Sequence, residues 1–201
     1  EPIVRATELL LQERMPRDIA VARPPAEPAV TSGHAASLAP SALRHYTGAH
    51  SRVPRTNLLS NGRFSTMVTA VGSGYSRWGD IAITRWREDP TRDDRGLHVF
   101  LRDIGTGETW SAGYQPSLTE PDDYDVTFAE DHVEIIRSDS GLVTTMEIMV
   151  SPEDDAEVRR VSITNEGSHP RDIEITSYAE IVLARQADDL AHPAFGALFV
   201  Q

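Results

Sequence analysis

Between Tyr124 and Val150 the chain reads YDVTFAEDHVEIIRSDSGLVTTMEIMV, three runs in which apolar and polar side chains take turns, broken by the acidic and glycine-bearing turns AEDH and SDSG. A period of two sends alternate side chains to opposite faces of an extended strand. Val133 and Ile135 alternate with His132, Glu134 and Ile136, and Met146, Ile148 and Val150 alternate with Thr145 and Glu147. One face of such a strand packs, and the other meets water or a second layer. Two further runs, Glu157–Asn165 and Arg171–Leu183, continue the meander after SPEDD and NEGSHP. Upstream, Leu58-Leu59 and Phe64–Val68 flank Asn61-Gly62, a hairpin signal because both turn residues tolerate positive φ. Leu97–Arg102 and Thr109–Ala112 flank DIGTGE in the same manner. The pattern predicts an all-β fold of two antiparallel sheets packed face to face, a sandwich rather than a parallel α/β sheet.

The two ends differ from this body. From Ile3 to Met15 the apolar residues Ile3, Ala6, Leu10 and Leu11 recur at three-to-four spacing, which predicts a short helix ended by Met15-Pro16. RPPAEPAVTSGHAASLAP follows, too poor in large apolar residues for a core. The expected organisation is a short helix over residues 1–18, a linker over 19–50 and the β-sandwich over 51–201. The end, HPAFGALFVQ, is an apolar strand-like run, and sheets normally cover such an edge. The sandwich is therefore expected to be incomplete at its C-terminus. The first residues, EPIVRATELLLQERMPRD, carry Glu1, Arg5 and Glu8 and lack the layout of a secretory signal. No apolar run approaches the roughly 20 residues needed to span a bilayer, so this segment is expected to make no direct membrane contact.

Charge and composition remove several function classes. The sequence holds 19 basic residues, all Arg, against 31 acidic ones, a formal charge of −12. That balance repels a phosphate backbone, and nucleic acid is not an expected partner. Cysteine is absent, which excludes a disulfide framework and thiolate chemistry. The seven His lack the three-to-four spacing of a zinc site, and the pairs Asp93-Asp94, Asp122-Asp123, Asp154-Asp155 and Asp188-Asp189 fall in predicted turns without the spacing of a calcium loop. Neither a metal nor a cofactor is expected.

Two local features carry candidate chemistry. In VGSGYSRWGDIAITRWRED the spacing Gly72-Ser73-Gly74 suggests a phosphate-cradling turn, yet the third glycine of a dinucleotide fingerprint is replaced by Arg77, and Ile81 and Ile83 return to β alternation. A glycine-relaxed bend displaying Tyr75, Ser76, Arg77 and Trp78 remains, with core packing or a β-bulge as the alternative. His98 lies on a predicted strand. It could serve as acid or base in a sugar epimerase, against the commoner role of a hydrogen-bonded strand histidine.

Three longer segments, LLSNGRFSTMVTAVGSGYSRWGDIAITRWREDPTRDD, LRDIGTGETWSAGYQPS and VSPEDDAEVRRVSITNEGSHPRDIEITSYAEIVL, occur in the order that resembles the phosphorylase-like region of cyclic β-1,2-glucan synthases, and with it glycoside hydrolase family 94. The resemblance covers residues 51–201 and implies an antiparallel β-supersandwich of the galactose-mutarotase type, followed in the family by an (α/α)6 barrel that carries the general acid. It implies no catalytic residue in this chain, and substrate contacts at Tyr75, Arg77, Trp78, Trp110, Tyr114 and Gln115. The implied function is a noncatalytic carbohydrate-associated domain. Its expected partners are β-glucan and the barrel of the same protein, with a second copy of the chain as a further partner. The implied location is cytoplasmic, either free or as part of an inner-membrane protein. The alternatives are a structural or dimer-forming sandwich without sugar contact, and an independent mutarotase-like enzyme built on His98.

Overall fold

The alternating runs fold as antiparallel strands whose apolar sides converge. The computed structural model describes residues 43–87, 89 and 92–196, so the helix expected over residues 1–18 and the linker up to residue 42 lie outside the described residues. The described strands, in chain order, are β1 (Arg44–Thr47), β2 (Thr56–Ser60), β3 (Phe64–Thr69), β4 (Gly74–Trp78), β5 (Ile81–Thr84), β6 (Leu97–Asp103), β7 (Thr109–Ser111), β8 (Asp123–Phe128), β9 (His132–Asp139), β10 (Leu142–Val150), β11 (Glu157–Asn165), β12 (Ile173–Ala179) and β13 (Ile181–Arg185). Two short helices follow, α1 (Gln186–Ala191) and α2 (Pro193–Gly196).

These strands pair into three sheets rather than the two expected. The first has the order β1-β8-β9-β10-β11, the second β13-β5-β4-β3-β2 and the third β12-β6-β7. In the first sheet Met146 lies opposite Ile135 on one side and Val161 on the other, and Ile148 lies opposite Val133. This register places the period-two apolar residues on one face. That face meets Leu59 and Val68 of the second sheet and Leu101 and Trp110 of the third in a single apolar core. Burying a side chain of this size contributes roughly 1.5–3 kcal/mol.

Two differences from the expectation have identifiable causes. The run read as one strand, Arg171–Leu183, divides at Glu180: β12 pairs with β6 in the third sheet, and β13 with β5 in the second. Glu180 holds the crossing point. Its carbonyl accepts from the Arg85 amide at 2.8 Å, and its carboxylate accepts from Arg85 at 3.1 Å and Arg95 at 2.9 Å. Apolar alternation runs through both halves and does not say which partner each half takes. The sheet also begins earlier than residue 51, because β1 lies inside the stretch read as linker. Its Tyr46 packs edge-on against Phe128 with 5.4 Å between ring centres, an anchor that composition alone hides.

A buried polar junction ties the three sheets together. Glu157 on β11 accepts hydrogen bonds from Thr66 on β3 at 2.8 Å, from Ser76 on β4 and from Arg159, and Arg159 donates to the carbonyl of Leu97 on β6 at 2.5 Å. Burial pushes the Glu157 carboxyl up, but the Arg159 charge and the hydroxyl of Ser76 outweigh it, so the group ionises below its ordinary value of 4.5. Its charge therefore stabilises the fold fully above about pH 4.5, and that contribution is lost as pH falls through the lower folded-state value. Replacing Glu157 by Gln should cost about 3–5 kcal/mol, because it leaves Arg159 buried beside a neutral partner. Urea unfolding below pH 4.5 should weaken the parent more steeply than the variant; parallel pH profiles would refute this role for the junction.

Candidate functional site

The glycine turn between β3 and β4 settles its own chemistry by hydrogen-bond accounting. The amide of Gly72 donates to the carbonyl of Thr69 at 3.0 Å, that of Ser73 to the Thr69 hydroxyl at 3.2 Å, and that of Gly74 to the carbonyl of Arg95 at 2.7 Å. A phosphate-binding loop needs such donors free, and here the protein uses all three. Gly74 has a φ of 154°, and a Cβ on it would lie 1.8 Å from the carbonyl oxygen of Met67. Close backbone approach requires this glycine.

Strand alternation then divides the aromatic cluster. Ser76 and Trp78 face one way: Ser76 donates to Glu157 in the interior, and the Trp78 indole donates to Asp155 at 2.7 Å while its ring stays half exposed. Tyr75 and Arg77 take the opposite face. The turn Gly79-Asp80 sets Arg77 opposite Ala82 and Trp78 opposite Ile81, and the chain beyond β5 brings Trp86 to Tyr75. Their rings lie 5.4 Å apart, inclined at 60°. With Arg77, Asp80 and Gln186 they line a groove of about 220 Å³. Trp78 does not line it, a departure from the expected trio, since its indole turns away to Asp155.

The other three expected residues go elsewhere. Trp110 is 2 % exposed and belongs to the core, so it is not available to a ligand at the surface. Tyr114 and Gln115 line a second pocket, of about 430 Å³, together with residues of the β1–β2 connection and the β3–β4 turn. Their loop is held from beneath by Arg137 of β9, fully buried, which donates to the carbonyls of Ser111 at 2.8 Å and Gly113 at 2.6 Å and pairs with Asp139 at 2.5 Å. It is held from the side by the amides of Tyr114 and Gln115, which donate to the Val71 carbonyl at 3.0 and 2.9 Å. The hydroxyl of Tyr124 donates to Ala70 at 2.9 Å, and burial raises the pKa of that phenol, so it stays protonated and keeps the bond.

The remaining candidates resolve into structural roles. His98 is buried beside Phe100, with its Nε2 3.2 Å from the carbonyl of Asp94, and burial lowers its pKa, so it sits neutral and hydrogen-bonded on β6. Asp189 receives Arg85 at 3.0 Å and Arg87 at 2.6 Å, fastening α1 to the end of β5. Asp122 accepts from the Ser140 amide at 2.7 Å. Among the described residues no three His, Asp or Glu side chains gather as metal ligands.

Comparison with known sequences decides the family. The supersandwich domain of glycosyl hydrolase 94 matches residues 39–201. This chain belongs to that family. The whole chain is 42 % identical over 202 residues to the cyclic beta-(1,2)-glucan synthase NdvB of Rhizobium meliloti (strain 1021), spanning 7 % of that protein. Over 68 % of its length it is 31 % identical to the N,N'-diacetylchitobiose phosphorylase of Vibrio furnissii, and over 69 % it is 27 % identical to the solabiose phosphorylase of Paenibacillus borealis, covering 18 % and 19 % of those proteins. The chain thus spans less than a fifth of these curated relatives. The all-antiparallel architecture and the supersandwich assignment agree.

Within this glycosyl hydrolase 94 domain, Trp86, Asp80, Ala82, Thr84 and Gln186 line the groove without being among the substrate contacts expected from the sequence. A signal for Trp86 was present: the Gly79-Asp80 hairpin returns the chain alongside β4, pairing Arg77 with Ala82, and Trp86 follows four residues later. No local signal marks Gln186, which arrives from the start of α1. The close contact beneath the second pocket offers a direct test. A Cβ on Gly113 would lie 2.7 Å from the Val71 carbonyl and 3.0 Å from the Gly72 Cα. Gly113→Ala should therefore cost about 1–3 kcal/mol in denaturant unfolding and shift the amide resonances of Tyr114 and Gln115. An unchanged midpoint and spectrum would show that the two turns do not bear on each other.

Proposed function

We propose that this supersandwich is a noncatalytic, saccharide-contacting domain that packs against a catalytic barrel elsewhere in its parent protein, and that the groove between Tyr75 and Trp86 touches a β-glucan or related oligosaccharide. The observation that carries the reading is the composition and shape of that groove: two inclined aromatic rings with Arg77, Asp80 and Gln186 around them. Aromatic faces cover the C–H surface of a pyranose while Tyr and Trp keep a polar tip. Arg supplies fixed donors, and carboxylate and amide groups supply acceptors for hydroxyls. The names of the relatives, a β-(1,2)-glucan synthase and two disaccharide phosphorylases, support the substrate class. The general acid is assigned to the barrel, as in the family resemblance, and His98 takes no part.

With only one wall of the cleft, the isolated chain should bind β-1,2-gluco-oligosaccharides at about millimolar Kd, about −4 kcal/mol. Tryptophan fluorescence should respond to the titration, the response should disappear in Trp86→Ala, and Trp78→Phe should keep it. A response that survives Trp86→Ala but vanishes with Trp78 would refute the groove. Turnover of these sugars by the pure chain, abolished on replacing His98, would replace this reading with an enzymatic one.

A further inference from the structure

The larger pocket shares no lining residue with the Tyr75–Trp86 groove, and its chemistry is distinct enough to be read by itself. Its volume of about 430 Å³ lies in the range of small-molecule sites, about 300–1,000 Å³. Two aromatic walls face it. The Tyr46 ring carries the Arg55 guanidinium 4.3 Å above its centre, and the Tyr114 ring meets the edge of His50 at 5.2 Å.

The polar groups exclude two ligand classes. No hydrogen bond or ion pair among the described residues engages the Arg55 guanidinium, the side-chain amide of Gln115 or the Tyr114 hydroxyl, so an apolar ligand would leave them unsatisfied. An anion fits no better. The two histidines at the rim already face carboxylates, His50 facing Glu120 at 3.0 Å and His45 facing Asp125 at 3.3 Å. Arg55 is the one Arg among the lining residues, and Asp93 lies in the same wall. Burial raises the Asp93 pKa, against the opposing pull of the Ser73 and Thr69 hydroxyls, so that carboxyl takes up a hydroxyl donor more readily than it tolerates another negative charge.

A neutral polyhydroxylated ring satisfies these groups: hydroxyls for Arg55, the Gln115 side chain and Asp93, and C–H surface against the aromatic lining of Tyr46 and Tyr114. We propose that this pocket is a second saccharide-binding site, taking one or two neutral sugar rings independently of the Tyr75–Trp86 groove. The site is rigidly founded. Arg137, Tyr124 and the Val71 carbonyl fix the loop that bears Tyr114 and Gln115, so binding requires no reordering of that segment.

Backbone amide shifts of the labelled chain, titrated separately with β-1,2-linked and β-1,4-linked gluco-oligosaccharides and with inorganic phosphate, test the proposal. Saturating shifts at Gly48, Val71 and Gln115 with a saccharide are expected. Gln115→Ala and Arg55→Met should each weaken them at least about tenfold, while the rest of the spectrum confirms that the variants are folded. The proposal is overturned if saccharide shifts are confined to Arg77, Ala82 and Gln186, if none appear up to tens of millimolar, or if phosphate saturates the pocket where saccharides do not. The amides reporting the two sites are different, so each of the two readings can fail while the other stands.

Discussion

The fold depends on one carboxylate placed where three sheets meet. Glu157 on β11 ties three other strands: Thr66 of β3 and Ser76 of β4 bond to it directly, and Leu97 of β6 is reached through Arg159 on its own strand. Apolar packing alone would let sheets slide over one another, since hydrophobic contact has little directional preference. A buried charge satisfied by specific donors permits only one arrangement, and leaving it unsatisfied is costly. The junction therefore fixes how β4 sits against β11, and with it which face of β4 is turned inward. The inward face takes Ser76, and the alternation then commits Tyr75 and Arg77 to the outer one.

A second buried charge, this one a cation, does for the loops what Glu157 does for the sheets. Arg137 spends its donors on the carbonyls of Ser111, Gly113 and Thr119 and on Asp139, so a stretch of irregular backbone acquires the hydrogen bonds that a strand would have supplied. Gly72 and Gly113 let that loop lie directly on the β3–β4 turn. Both candidate sites thus rest on segments braced from the interior by satisfied polar groups, although neither Glu157 nor Arg137 reaches either cavity.

Legibility in the sequence followed the range of the interaction. The strands β8 to β11 and the hairpins β2–β3 and β6–β7 were readable because period-two alternation and turn chemistry are local. The partition into three sheets was not, because it hinges on Glu180 meeting Arg85 and Arg95 across long separations. The site was half legible. Tyr75, Arg77, Tyr114 and Gln115 all line cavities, but in two different ones, and the sequence gives no sign of which loops meet. Trp110 illustrates the remaining limit: the resemblance carried it among the substrate contacts along with its shared stretch, while its pairing opposite Leu101 makes it core. Trp78 stays half exposed but leaves the groove, because its indole turns to Asp155.

The satisfied glycine turn bears on what kind of surface this domain can offer. In phosphate sites, backbone amides and a helix N-terminus supply most of the binding, and side-chain identity matters less. Here the amides of Gly72, Ser73 and Gly74 are consumed by the fold, and the sequence provides no lysine to compensate. What remains toward solvent is side-chain chemistry of one type: aromatic rings beside amide, carboxylate and guanidinium groups, repeated in the Tyr75–Trp86 groove and around Tyr46 and Tyr114. On a chain with a formal charge of −12 that combination favours neutral ligands with alternating C–H and O–H surfaces over anionic ones.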